Sequence, residues 1–270
     1  MHHGSGILLW RRTSNVTDRW RTLVLGVMLM TWWIGLGSTV AAPAPPFSTA
    51  GLDTVLTVHL RKGRVDYGTL ARDRGPLDRF LASTRSARPD EWSRNEQIAF
   101  WANVYNARVL EGVIRRPGLK SVLDVGKKLG VPTLGFFREK SVVAGRSLSL
   151  NDIEHKILRQ GFREPRLHFV LNCASASCPL LPARALTGES LDEVLDEAAA
   201  EFLADRARNP LVSSTELRLS SIFKWYRADF ESDAGSLTAF VERYRKGGEP
   251  IRKDASVRFV DYDWSLNGHW

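Results

Sequence analysis

The segment from Asn95 to about Arg116 constrains the fold more strongly than any other. It carries apolar side chains on almost every face: Ile98, Phe100, Trp101, Val104, Tyr105, Val109, Leu110, Val113 and Ile114. A helix with one apolar stripe lies on a surface, whereas a helix apolar all round is enclosed by protein. The pattern therefore predicts a central helix that the rest of the chain must surround. Ser93-Arg-Asn-Glu96 is a capping box for its start, and Pro117-Gly118 stops it. Asn103 and Asn106, three apart, share a face of this helix and must find hydrogen-bond partners there. Both are candidate binding residues, with core hydrogen bonding as the plainer role.

The flanking patterns are mixed. Leu52, Val55, Leu56 and Leu60 mark a helix ended by Gly63, and Pro76 opens another through Leu77, Phe80 and Leu81. Leu191, Val194, Leu195, Ala198 and Phe202 form an apolar stripe, and helical spacing returns at Ile222–Phe230 and Leu237–Tyr244. Val65-Asp-Tyr67 reads as extended. Phe136–Val143 and Ser147–Leu150 read as a hairpin across Ala144-Gly-Arg146. A second hairpin is expected at Leu211-Val212 and Leu217-Arg-Leu219, and a last strand at Val257–Tyr262. Without a βαβ rhythm the class is α+β: one mostly helical domain over residues 49–270, with a central buried helix and a small antiparallel or mixed sheet.

The first residues follow another logic. Arg11, Arg12, Arg19 and Arg21 precede an uncharged run, residues 23–36, and Ser38-Thr-Val-Ala-Ala-Pro43 follows. That is the order of a secretory signal, so residues 1–42 are expected to be a leader cleaved near Ala41 or Ala42. An uncleaved membrane anchor through residues 23–36 is the alternative. A Pro-rich linker, 43–48, comes next. The expected location is exported, periplasmic or associated with the cell envelope. Without its leader the chain keeps only a mild positive excess, and no basic cluster interleaved with aromatics occurs. Nucleic acid is therefore not an expected partner; a small-molecule or peptide ligand is.

The chemistry-bearing stretch is Arg166-Leu-His-Phe-Val-Leu-Asn-Cys-Ala-Ser-Ala-Ser-Cys-Pro179, which holds both cysteines. Leu167–Leu171 reads as a buried strand, and the small polar residues after it as a loop. On a strand His168 and Cys173 would lie on opposite faces. In an oxidising compartment Cys173 and Cys178 most often pair.

Several of these segments together resemble a known family. Val65-Asp-Tyr67, Ala99-Phe-Trp-Ala-Asn-Val-Tyr-Asn-Ala107, Ser149-Leu-Asn-Asp-Ile-Glu-His155, His168–Pro179, Ile222-Phe-Lys-Trp-Tyr226 and Tyr262-Asp-Trp-Ser-Leu-Asn267 occur in the order of the bacterial exported branch of the domain of unknown function 547 family. Ala102 stands where a bulkier aliphatic residue is expected. The resemblance implies one exported or cytosolic domain and assigns neither a reaction nor catalytic residues.

Two readings of function lead, ahead of a metal site on His168, Cys173, Cys178 and His155 and a redox switch between the two thiols. In the first, Cys173 is the nucleophile of a thiol-dependent hydrolase or acyl transferase. His168 or His155 would be its base and Glu154 or Asn172 the orienting group, with the loop amides near Ser175 facing an oxyanion. A thiol with an ordinary pKa of about 8.5 needs such help at neutral pH. In the second, Cys173 and Cys178 form a structural pair in a non-catalytic extracytoplasmic binding or scaffold module. Ligand spacings match no standard metal site, and no cofactor is expected.

Overall fold

The computed structural model describes residues 46–126 and 134–270. The expected leader, the anchor reading of residues 23–36 and the start of the linker lie outside the described residues. Helix α1 (Ala50–His59) runs into a tight turn at Lys62 and Gly63, both with positive φ, between β1 (Leu60–Arg61) and β2 (Arg64–Asp66). Helices α2 (Tyr67–Arg72) and α3 (Gly75–Ser83) follow. Tyr67, expected to be extended, instead opens α2, because the Asp66 carboxylate caps it by accepting from the Thr69 amide.

The central helix α4 (Arg94–Ile114) carries the capping box intact, with the Ser93 side chain accepting from the Glu96 amide and Glu96 reaching back. Fourteen of its residues are buried, including both asparagines, so it is the enclosed axis its pattern predicts. The hairpin β3 (Lys140–Val143) and β4 (Arg146–Ser149) turns through Ala144 and Gly145 at φ 49° and 70°, as a type I′ turn requires. Gly135–Arg138 forms a 3-10 turn where a strand was expected, since Phe136 and Phe137 both point inward instead of alternating.

The expected helix after Ser149 is a π-helix, Asp152–Phe162, closed at its start by reciprocal bonds between Ser149 and Asp152. The strand expected at Leu167–Leu171 does not form: Pro165–Phe169 is a 3-10 turn. No neighbouring strand is needed, because the Asn106 amide donates to the Val170 carbonyl at 2.9 Å and accepts from the Asn172 amide at 2.9 Å. A side chain thus takes the place of a ladder.

Helix α5 (Leu191–Ala204), the hairpin β5 (Leu211–Val212) with β6 (Glu216–Leu219), and helices α6 (Ile222–Trp225), α7 (Arg227–Ala234) and α8 (Leu237–Tyr244) complete the helical part. Strand β7 (Ser256–Phe259) lies parallel to β6, and β8 (Gly268–His269) parallel to β2. The fold is α+β, and among the described residues the strands are distributed over three small sheets rather than the single one expected. One core surrounds α4. An aromatic cluster of Phe169, Phe202, Phe223, Phe230 and Phe240 fills the space beneath α5 to α8. Among the described residues no helix is long and apolar enough to cross a membrane.

Candidate functional site

The π-helix, α6, the Cys loop and the C-terminal tail meet around a cavity of about 410 Å³. Its polar wall is built on Glu154, which is 8% exposed. The Tyr105 hydroxyl of α4 donates to one carboxylate oxygen at 3.0 Å, and the Tyr226 hydroxyl to the other at 2.5 Å. Burial and the adjacent Glu154 charge push both phenol pKa values up, so both tyrosines stay protonated donors.

Tyr226 is itself held on the protein side. The His168 ring stacks on it at 3.8 Å, and the Arg159 guanidinium lies 4.7 Å from its centre. Arg159 makes a bidentate pair with Asp229 at 2.7 and 3.0 Å, and the same carboxylate contacts His168 Nε2 at 2.8 Å. Burial works against the Asp229 carboxylate, yet hydrogen bonds from His168 and Arg159 hold it well below the usual range. Burial lowers the His168 pKa despite that contact, so the ring is neutral and donates through Nε2. His155 Nδ1 lies 3.1 Å from Arg159 and 3.9 Å from Glu154. Since Asp229 answers Arg159, the Glu154 carboxylate sets the sign of this wall.

The rest of the lining includes aromatic and sulfur-bearing side chains. Trp225, 47% exposed, stands with Tyr262 and Trp264 at ring separations of 4.7 to 5.8 Å. Cys173 and Cys178 are joined in a disulfide with Cα atoms 6.2 Å apart, and both line the cavity. The Tyr262 hydroxyl lies 3.2 Å from each sulfur.

The loop carrying the disulfide is tethered from two sides. The Ala176 and Ser177 amides donate to the carbonyls of Ser265 and Asp263 in the tail. Arg208 donates to the Ala176 and Cys178 carbonyls, each at 2.9 Å. Asn172 donates to the Pro179 carbonyl and accepts from the Ala174 amide, which stabilises Ala174 at a φ of 62°.

Residues 89–203 match the family model described as a protein of unknown function, DUF547. The likeness to DUF547 is that of this stretch, under half of the chain. No curated protein and no solved structure matches the chain. The DUF547 stretch supplies the central helix, the π-helix and the Cys loop, while Tyr226, Asp229, Tyr262 and Trp264 lie beyond it. The cavity is therefore shared between the DUF547 stretch and the residues C-terminal to it.

Of the candidate catalytic residues, Glu154, His155, His168 and Cys173 all line the cavity. The structure does not assemble them as a thiol and base, because Cys173 is bonded to Cys178, His168 to Asp229, and His155 to Arg159. The orienting partner of His168 is Asp229, not Glu154 or Asn172. Asn103 pins the backbone of Leu186 through two bonds, and Asn106 and Asn172 pin the Cys loop. Ser175 is buried, with its hydroxyl 3.2 Å from Cys173 Sγ. These four candidate binding residues do not line the cavity. Among the described residues no three His, Cys, Asp or Glu side chains are gathered as a metal site. Tyr226, Tyr262 and Trp264 lie in sequence motifs that carried the family resemblance. Asp229, 61 residues from His168, left no local signal.

Proposed function

We propose that the chain is a non-catalytic extracytoplasmic binding module whose cavity takes a small organic cation. One observation carries the reading: a buried carboxylate, clamped by two tyrosine hydroxyls, and an aromatic trio line the same cavity of ligand size. Cations gain about 0.5–2 kcal/mol over an aromatic face, more as water is excluded. Glu154 retains acceptor capacity for an ammonium, because a carboxylate accepts more than two hydrogen bonds. The disulfide supports the structural role for the cysteine pair, and with the leader pattern it supports an oxidising, extracytoplasmic location.

Calorimetric titration of the chain with a small alkyl- or arylammonium, its neutral alcohol analogue and its carboxylate analogue tests this. The ammonium is expected to bind at least fivefold more tightly than the alcohol, and the carboxylate not at all. Glu154→Gln should remove the preference and Trp225→Ala should weaken the ammonium severalfold. Equal affinity for all three probes in the wild type would overturn the reading.

A further inference from the structure

The two sulfurs of the disulfide differ in exposure and in their backbone contacts. Cys178 is 3% exposed, whereas Cys173 is only partly buried, so an incoming group in the cavity reaches Cys173 more easily. The Cys173 amide N–H points at Cys178 Sγ at 2.8 Å, while the Tyr262 hydroxyl lies 3.2 Å from both sulfurs and the Ser175 hydroxyl 3.2 Å from Cys173 Sγ. Arg208, paired with Asp205, donates to the Cys178 carbonyl and holds that end of the loop in place. A backbone N–H and the Tyr262 hydroxyl thus stand where negative charge would develop if Cys178 left as a thiolate. The loop stays tethered by the tail and by Asn172, so the separated sulfurs would remain within reach of each other.

We propose that the Cys173–Cys178 bond is an exchange site that captures a small aminothiol from the cavity as a mixed disulfide on Cys173. The thiol first loses its proton to solvent. Its thiolate attacks Cys173 Sγ, a new sulfur–sulfur bond forms, and the Cys173–Cys178 bond breaks with its electron pair going to Cys178 Sγ. The incoming sulfur is oxidised and the Cys178 sulfur reduced, so no further oxidant enters. Return attack by the Cys178 thiolate on Cys173 releases the thiol and restores the bond, which makes capture reversible. The choice of an aminothiol rests on the cationic-ligand reading above: Glu154 repels anionic thiols and the aromatic trio favours an ammonium.

The test uses the oxidised full chain with cysteamine, 2-mercaptoethanol and 2-mercaptoethanesulfonate at equal thiolate concentration, followed by acid quench, alkylation and peptide mapping. The expected result is an adduct on Cys173 with the alkyl label on Cys178. Rates should fall from cysteamine to mercaptoethanol to the sulfonate, with at least tenfold between the extremes, and Tyr262→Phe should slow cysteamine severalfold. Glu154→Gln should level the order without moving the adduct. No adduct with any thiol while the ammonium probe still binds would overturn exchange and leave the binding reading standing. An adduct on Cys178 would overturn the assigned direction. Equal rates for all three thiols on Cys173, with no ammonium preference in the titration, would overturn the aminothiol assignment together with the cationic-cavity reading.

Discussion

Asp229 settles the ionisation of this site by serving two partners at once. Arg159 takes both of its oxygens, and His168 shares one of them. Burial keeps the His168 pKa below its ordinary 6.5 in the fold, while the unfolded chain takes up the proton near that value. The unfolded state therefore binds more protons just below pH 6.5. The His168 contribution is fully present above that pH and is lost as pH falls toward the folded value. Asp229, held low, keeps its contribution down to the ordinary carboxylate range and loses it only in stronger acid. Urea unfolding should thus show stability declining between pH 7 and 5.5 by at most about 1.4 kcal/mol per unit. His168→Asn should flatten that slope; an unchanged slope would assign it to another group. His168 and Cys173 could be singled out from the chain by residue type. Their partners could not, because a contact across 61 residues is written in neither periodicity nor motif.

Among the elements, the central helix was the most legible. Its all-round apolar pattern demanded enclosure, and its capping box was a local chemical signal that the structure reproduces bond for bond. Ser93→Ala removes the side-chain acceptor for the Glu96 amide and should cost about 1 kcal/mol, read from the denaturation midpoint with an unchanged slope. The hairpin β3–β4 was legible for the same reason, since its turn needs positive φ and Gly145 supplies it. The segment 167–171 was not, because a short apolar run does not distinguish a strand from any other buried backbone. What decided it was the Asn106 side chain, which takes the Val170 carbonyl and the Asn172 amide that a sheet would otherwise have paired.

At the scale of the whole molecule, the two ends of the described chain close on each other and on the Cys loop. Strand β8 pairs with β2, Tyr67 donates to the Asn267 side chain at 2.7 Å, and Asn267 donates to Asn172 at 3.0 Å. Asn267→Ala leaves the Tyr67 hydroxyl without that acceptor and should destabilise the chain by roughly 1–3 kcal/mol. Because Asn172 holds the loop, the same variant should speed reduction of the Cys173–Cys178 bond by dithiothreitol, measured under native conditions. Stability lost without a change in reduction rate would separate the tail from the loop. Class, central helix, caps and the cysteine-bearing loop were determined by the sequence alone, because each depends on neighbours within a few positions or on periodicity along one element. The cavity, the Glu154 clamp and the pairing of His168 with Asp229 were decided only by tertiary structure. Their groups come from segments far apart in the chain, and only packing brings them within hydrogen-bonding distance.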